Sequence, residues 1–182
     1  MTRELLYAQA LAIIDAEGLG ALTMRRLAAD VGVEAASLYH HVPNKQALLD
    51  GALSLMRAEM VFDGPLPQDW MQLMENVFMR YLQVLMRHPH LLPLAGRHVD
   101  TDEAGGLSYL VENGLSEGDA VALWQSIIAF VVGFAVFATE SFPRDSDYLP
   151  PSLAGRMAVW DESTCRRTLQ YLLRAYAGAT SR

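Results

Sequence analysis

Apolar positions recur every three or four residues along most of the chain, and strict alternation is scarce, so helices are expected nearly throughout. A first helix, from about Thr2 to Glu17, puts Leu6, Ala10, Ile13 and Ile14 on one face and stops at Gly18. Thr23 has the side chain of an N-cap for a second, Met24 to Val31, which Gly32 ends. A third is expected from near Glu34 to just before Pro43, because a proline disfavours helical geometry in the preceding Val42. Asn44 then heads a fourth, whose Leu48, Leu49, Ala52, Leu53 and Met56 fall at helical spacing.

The stretch Phe62-Asp-Gly-Pro-Leu-Pro-Gln68 is the clearest break, and it divides the chain into residues 1–62 and 63–182. Beyond it a long helix, Trp70 to Arg87, is apolar nearly all round and belongs in the middle of the second region. His88-Pro89 and Pro93 interrupt the pattern, and a short helix ends at Asn113-Gly114. Ser116 and Asp119 have the spacing of a capping box for a very apolar helix, Glu117 to about Ser141. A polar loop from Phe142 to Ser152 leads to a last helix, about Asp161 to Ala177. The fold class is therefore all-α.

Composition narrows the function. With 182 residues, 52% hydrophobic and 19% charged, the chain has enough apolar material for a packed core, which excludes wholesale disorder. The single cysteine, Cys165, excludes an intrachain disulfide and a cysteine-based zinc cluster. The start carries Glu4 and no small-residue cleavage site, so no secretory signal is expected and the location is cytoplasmic. The longest unbroken apolar run, Ile127 to Ala138, is short for a bilayer, and no membrane partner is expected. A net charge of −7 argues against a generally basic, non-specific nucleic-acid binder.

The second and third helices have the pattern of a helix-turn-helix over about 23–42. Leu27, Val31, Val33 and Leu38 are apolar where two short helices meet, Ala28 is small, and Gly32 permits the turn. With those residues inward, Ala35, Ala36, Ser37, Tyr39, His40 and His41 face outward, offering methyls, hydroxyls and imidazoles to a major groove. An ordinary αα-hairpin would have the same apolar pattern.

Residues 2 to about 60 resemble the TetR family of bacterial repressors. The likeness lies in Leu22-Thr-Met-Arg-Arg-Leu-Ala28, in Val31-Gly-Val33 and in Ser37-Leu-Tyr-His-His-Val-Pro-Asn-Lys-Gln-Ala-Leu-Leu-Asp50. It implies a three-helix DNA-binding domain joined by a fourth helix to an all-helical regulatory region. It puts Thr23 and Arg25 near the DNA backbone or groove, Ser37, Tyr39, His40 and His41 on the recognition helix, and Lys45 on phosphate. The family's founding member has tryptophan where His40 stands and glutamine where Ala35 stands. Ala35 cannot make a bidentate contact to adenine, so a different operator is expected. The segment Thr23 to Lys45 sets Arg25, Arg26 and Lys45 against Asp30 and Glu34, which implies few phosphate contacts and a shallow salt dependence.

A looser likeness, Leu110-Val-Glu-Asn-Gly-Leu-Ser116 before a long apolar helix, resembles the regulatory half of the tetracycline-repressor type. It implies a homodimer through the last two long helices and a cavity for a small apolar or aromatic effector. Met74, Phe78, Tyr81, Trp124, Ile127, Phe130 and Phe134, with Met71 and Phe137, are candidates to line that cavity, although for any single one of them plain core filling is the preferred reading. His88, His90, His98, Asp100, Asp102 and Glu103 are the side chains from which a metal site could be assembled. Solvated loop positions are the preferred reading there, and neither a metal nor a cofactor is expected. The whole reads as a ligand-responsive repressor that binds double-stranded operator DNA. The alternatives are a small helical enzyme using the His and carboxylate cluster near residue 98, and a helical protein–protein adaptor. No nucleophile–base pair or phosphate loop supports the enzyme.

Overall fold

The computed structural model describes residues 1–60, 65, 67–95, 102–139 and 160–179, without the side chains of 102–104 and 179. All regular structure among the described residues is helical. The chain divides into two compact units, residues 1–61 with 87–97, and residues 62–86 with 98–182.

The first unit begins with α1 (Arg3–Glu17), capped by the Thr2 hydroxyl on the Leu5 N–H, with Leu6, Ala10, Ile13 and Ile14 buried. α2 (Met24–Val31), α3 (Ala35–Leu38) and α4 (Lys45–Ala58) follow. α1 packs along α4, whose buried residues are Leu48, Gly51, Ala52, Leu53 and Met56. Each fully buried leucine or isoleucine in such a face stabilises the fold by about 1.5–3 kcal/mol relative to exposure. Gly51 is where α4 comes closest to its neighbour, because a Cβ there would run into the Tyr7 ring. Leu49, expected on the inner face, is only half-buried. The 3-10 segment Pro89–Leu94 returns to this unit and packs against α1, with Leu91 and Leu92 inward.

α3 is shorter than its sequence pattern. It closes at Leu38, and the Leu38 carbonyl then accepts from both His41 and Val42 N–H groups at 2.9 Å, so residues 39–42 finish as a turn. Two causes combine. Glu34 provides no side-chain cap at the start, and Val42, held before Pro43, cannot stay helical.

The second unit is built on α5 (Trp70–Arg87), all of which but Arg87 belongs to it. α5 buries Met74, Phe78, Met79, Tyr81, Leu82, Val84 and Leu85, as expected of a central helix. α6 (Asp102–Glu112) is followed by a turn through Gly114, whose φ of 101° suits glycine. α7 (Glu117–Thr139) packs against α6 and against α8 (Glu162–Ala179). The Ser116 hydroxyl accepts from the Asp119 N–H at 3.1 Å and donates to the Asp119 carboxylate at 2.7 Å, the cap that the spacing predicts. Glu75 of α5 anchors α8 through Arg166 at 2.6 Å and Gln170 at 2.9 Å.

α7 is longer in its apolar character than the run Ile127 to Ala138 indicates. Gln125 and Ser126 break the run but add little polarity, so by length and composition the whole helix could cross a membrane. Only a third of its most apolar window is buried in the subunit. Ala120, Leu123, Ile127, Val131, Phe134 and Ala135 face inward, while Val121, Ala129 and Phe137 are exposed.

Candidate nucleic-acid interface and effector region

The helix-turn-helix is assembled by short-range bonds. The Thr23 hydroxyl accepts from the Arg26 N–H at 3.0 Å, which caps α2. Gly32 closes the helix with φ 73° and ψ 32°, a left-handed conformation that costs glycine nothing. The Val33 N–H then reaches back to the Ala28 carbonyl at 2.9 Å. Leu27, Ala28, Leu38 and Val42 are buried beneath this turn, whereas Val31 and Val33 are half-buried. Arg3 of α1 donates to the His41 carbonyl at 2.9 Å and holds the far end of the motif.

Of the side chains read as DNA-facing, Thr23, Arg25, Ala36, Tyr39 and His40 are exposed, Tyr39 at 55%. Ala35, Ser37, His41 and Lys45 are half-buried. All nine lie within the same short stretch of the first unit. The Lys45 ammonium donates to the Leu19 carbonyl at 3.2 Å, so one of its three N–H bonds is already engaged. Arg26 has no free cationic role. Its guanidinium pairs with Glu17 at 2.6 Å and Asp30 at 3.0 Å, which holds the Glu17 carboxyl below the ordinary carboxylate range. Its spacing to Asp30 is legible as an i,i+4 pair, but nothing in the sequence points to Glu17.

In the second unit, Met74, Phe78, Tyr81, Ile127 and Phe134 are buried, and Trp124 and Phe130 are half-buried. Phe78 of α5 meets Trp124 of α7 edge to face, ring centroids 5.2 Å apart. Phe130 and Phe134 are 6.0 Å apart, and Phe134 meets Trp160 at 5.1 Å. Trp160 also stacks on Phe137 at 4.9 Å, and sequence spacing offered no sign of its part in this cluster. Trp124 sits where it does because Gly106 of α6 carries no side chain, a Cβ there colliding with the indole. The Trp124 Nε1–H is buried and has no hydrogen-bond partner among the described residues. A shallow polar groove at the start of α8, lined by Glu162, Ser163, Arg166, Arg167 and Gln170, involves none of these aromatic residues.

The candidate metal ligands separate. His98 and Asp100 lie outside the described residues, as do the side chains of Asp102 and Glu103. His88 is buried, its Nδ1 2.9 Å from the Asp15 carboxylate and its Nε2 3.0 Å from Glu59. The second Glu59 oxygen pairs with Arg87 at 2.9 Å. The two carboxylates stand on opposite sides of the ring and cannot share an ion. His90 donates to the Ile14 carbonyl at 2.8 Å instead. Among the described residues no three His, Cys, Asp or Glu side chains converge as metal ligands do.

Comparison with known proteins gives this geometry its setting. The class D tetracycline repressor protein of Escherichia coli is 29% identical over 196 aligned positions, which take in 97% of this chain and 89% of that one. The Streptomyces coelicolor TetR family protein ActR, in complex with actinorhodin, superposes with a TM-score of 0.81 at 24% identity, covering 99% of this chain and 97% of its own. BioQ of Mycobacterium smegmatis, solved with its double-stranded DNA operator, gives a TM-score of 0.70 at 23% identity over 98% and 99%. These two likenesses establish the fold. Residues 6–52, which hold most of α1, all of α2 and α3 and the start of α4, match the family described as bacterial regulatory proteins, tetR family. The full-length likeness to a repressor, the shared fold and this match agree, and the chain belongs to the tetR family of bacterial regulatory proteins.

Proposed function

We propose that the chain is a cytoplasmic, homodimeric repressor that binds a double-stranded operator through residues 23–45 and leaves it when a small apolar or aromatic effector binds the second unit. The observation that carries the reading is the exposed face of the helix-turn-helix, where Tyr39, His40 and Ala36 stand clear of the core beside Thr23 and Arg25. Hydroxyl, imidazole and methyl groups at these positions suit base edges and phosphates. Residues 63–182 form the effector and dimerisation domain in this reading. BioQ was solved on its operator and ActR with actinorhodin, which supports both halves of it.

A mobility-shift titration with the DNA upstream of the chain's own gene tests the interface. Tyr39→Ala should weaken operator binding strongly while leaving non-specific binding nearly unchanged. Lys45→Ala should weaken all sequences alike and lower the salt slope by about one. Wild-type binding by both variants refutes the docking, and no shift at all favours a protein–protein adaptor. A thermal-shift screen of small aromatic compounds, with and without EDTA, tests the effector half. Stabilisation should persist in EDTA and be matched by release of DNA, because the coupling is reciprocal.

A further inference from the structure

Buried hydrogen-bond donors in folded proteins are almost always satisfied, and each exception calls for a cause. Among the described residues the Trp124 indole N–H is such an exception. The ring is held on two sides, its benzo edge (Cζ3 and Cη2) against Gly106 of α6 and the indole against the Phe78 ring in an edge-to-face pair with centroids 5.2 Å apart. Sliding the indole to bring Nε1 to water would open both contacts. A phenylalanine would supply the apolar packing without an unmet donor, so the N–H is a polar point placed in an aromatic wall. Ligand pockets are built this way, from apolar lining and a few directional polar groups.

We propose that Trp124 is a specificity-determining donor, and that the effector is an aromatic molecule carrying a carbonyl-type hydrogen-bond acceptor. This rests on reading the Phe78–Trp124 region as the effector site. An acceptor oxygen within hydrogen-bond distance of Nε1 gains a bond that a hydrocarbon of the same shape cannot, and the hydrocarbon leaves the donor unmet.

The test uses the full chain with 15N-labelled indoles and two isosteric probes, acetophenone and α-methylstyrene, which differ in C=O against C=CH2. The chain has three tryptophans, and Trp124→Phe identifies the Trp124 signal. Acetophenone should move the Trp124 indole proton downfield, leave those of Trp70 and Trp160 in place, and bind about tenfold more tightly than α-methylstyrene. That preference should vanish in Trp124→Phe. If that variant does not fold, replacement of tryptophan by benzothienylalanine, which keeps the shape and removes the N–H, should abolish the preference in the same way. Equal binding of the two probes at the site overturns the donor role while leaving an apolar effector site standing. A preference that survives loss of the N–H overturns it also. Failure of both probes to perturb Trp124 overturns the donor role and the placement of the effector site together, and the operator titration on the same sample reports separately on DNA binding.

Discussion

At His88 one buried ring holds three stretches of chain: the end of α1 through Asp15, the end of α4 through Glu59, and the 3-10 segment that follows the histidine itself. His88→Ala leaves the Asp15 and Glu59 carboxylates without the imidazole that bridges them. Both are about a third exposed, so water takes up part of the loss. The expected cost is about 1–2 kcal/mol, a fall in melting temperature of about 2–8 °C, with His88→Gln in between because it keeps one donor. A variant that melts with wild type would refute the tie. Nothing in the sequence joins these groups, which lie 73 and 29 residues apart, and residue type alone makes a His-Pro-His stretch look like metal ligands. Cys165 offers a second check on a single side chain. Burial, with a smaller contribution from Glu162, pushes its thiol up to about 12, and the thiolate is the reactive form. A disulfide reagent near neutral pH should leave the native protein unlabelled and label it fully in denaturant. Rapid native labelling would contradict the packing of α8.

Among the elements, the contact of α1 with α4 is the most demanding sterically. Gly51→Ala places a methyl against the body of the Tyr7 ring, not its flexible tip, so either the ring turns or the helices part. Overpacking of this kind costs about 1–3 kcal/mol. Melting should fall accordingly, and pairing the change with Tyr7→Ala should recover part of the loss in a double-mutant cycle. Independent, additive losses would show that the two positions do not meet. Helix ends were the most legible part of the chain, because Thr23, Asn44 and Ser116 act on N–H groups three residues away. The tight place at Gly51 was not, since it depends on which residue of another helix lies opposite. The same is true of the 87–97 segment. A Pro- and Gly-rich break marks the first boundary between the units, and Pro89 and Pro93 mark an interruption here, but nothing in it shows a return to the first unit.

For the whole molecule, the incompletely covered α7 governs behaviour in solution. Exposed Val121 and Phe137 on α7 and Tyr171 on α8 are the surface that a second copy would cover, and obligate interfaces have this apolar character. Sedimentation at micromolar concentration should find a dimer of the 20.1 kDa chain. A monomer there would refute pairing through α7 and α8, and Phe137→Asp should produce one if the pairing holds. The amino-acid pattern made α7 and α8 legible as helices, and family likeness supplied their pairing; amphipathicity alone does not tell a face for a neighbour in the same chain from a face for another copy. The half-covered helix also bears on how the protein is made. α7 leaves the ribosome before α8, its intramolecular cover, and until α8 follows it has the length and apolarity by which membrane-spanning segments are recognised. The interval between the emergence of the two helices is thus when α7 is most open to misdirection, and slowing the last stage of synthesis should cost yield even though no residue of the finished protein is changed.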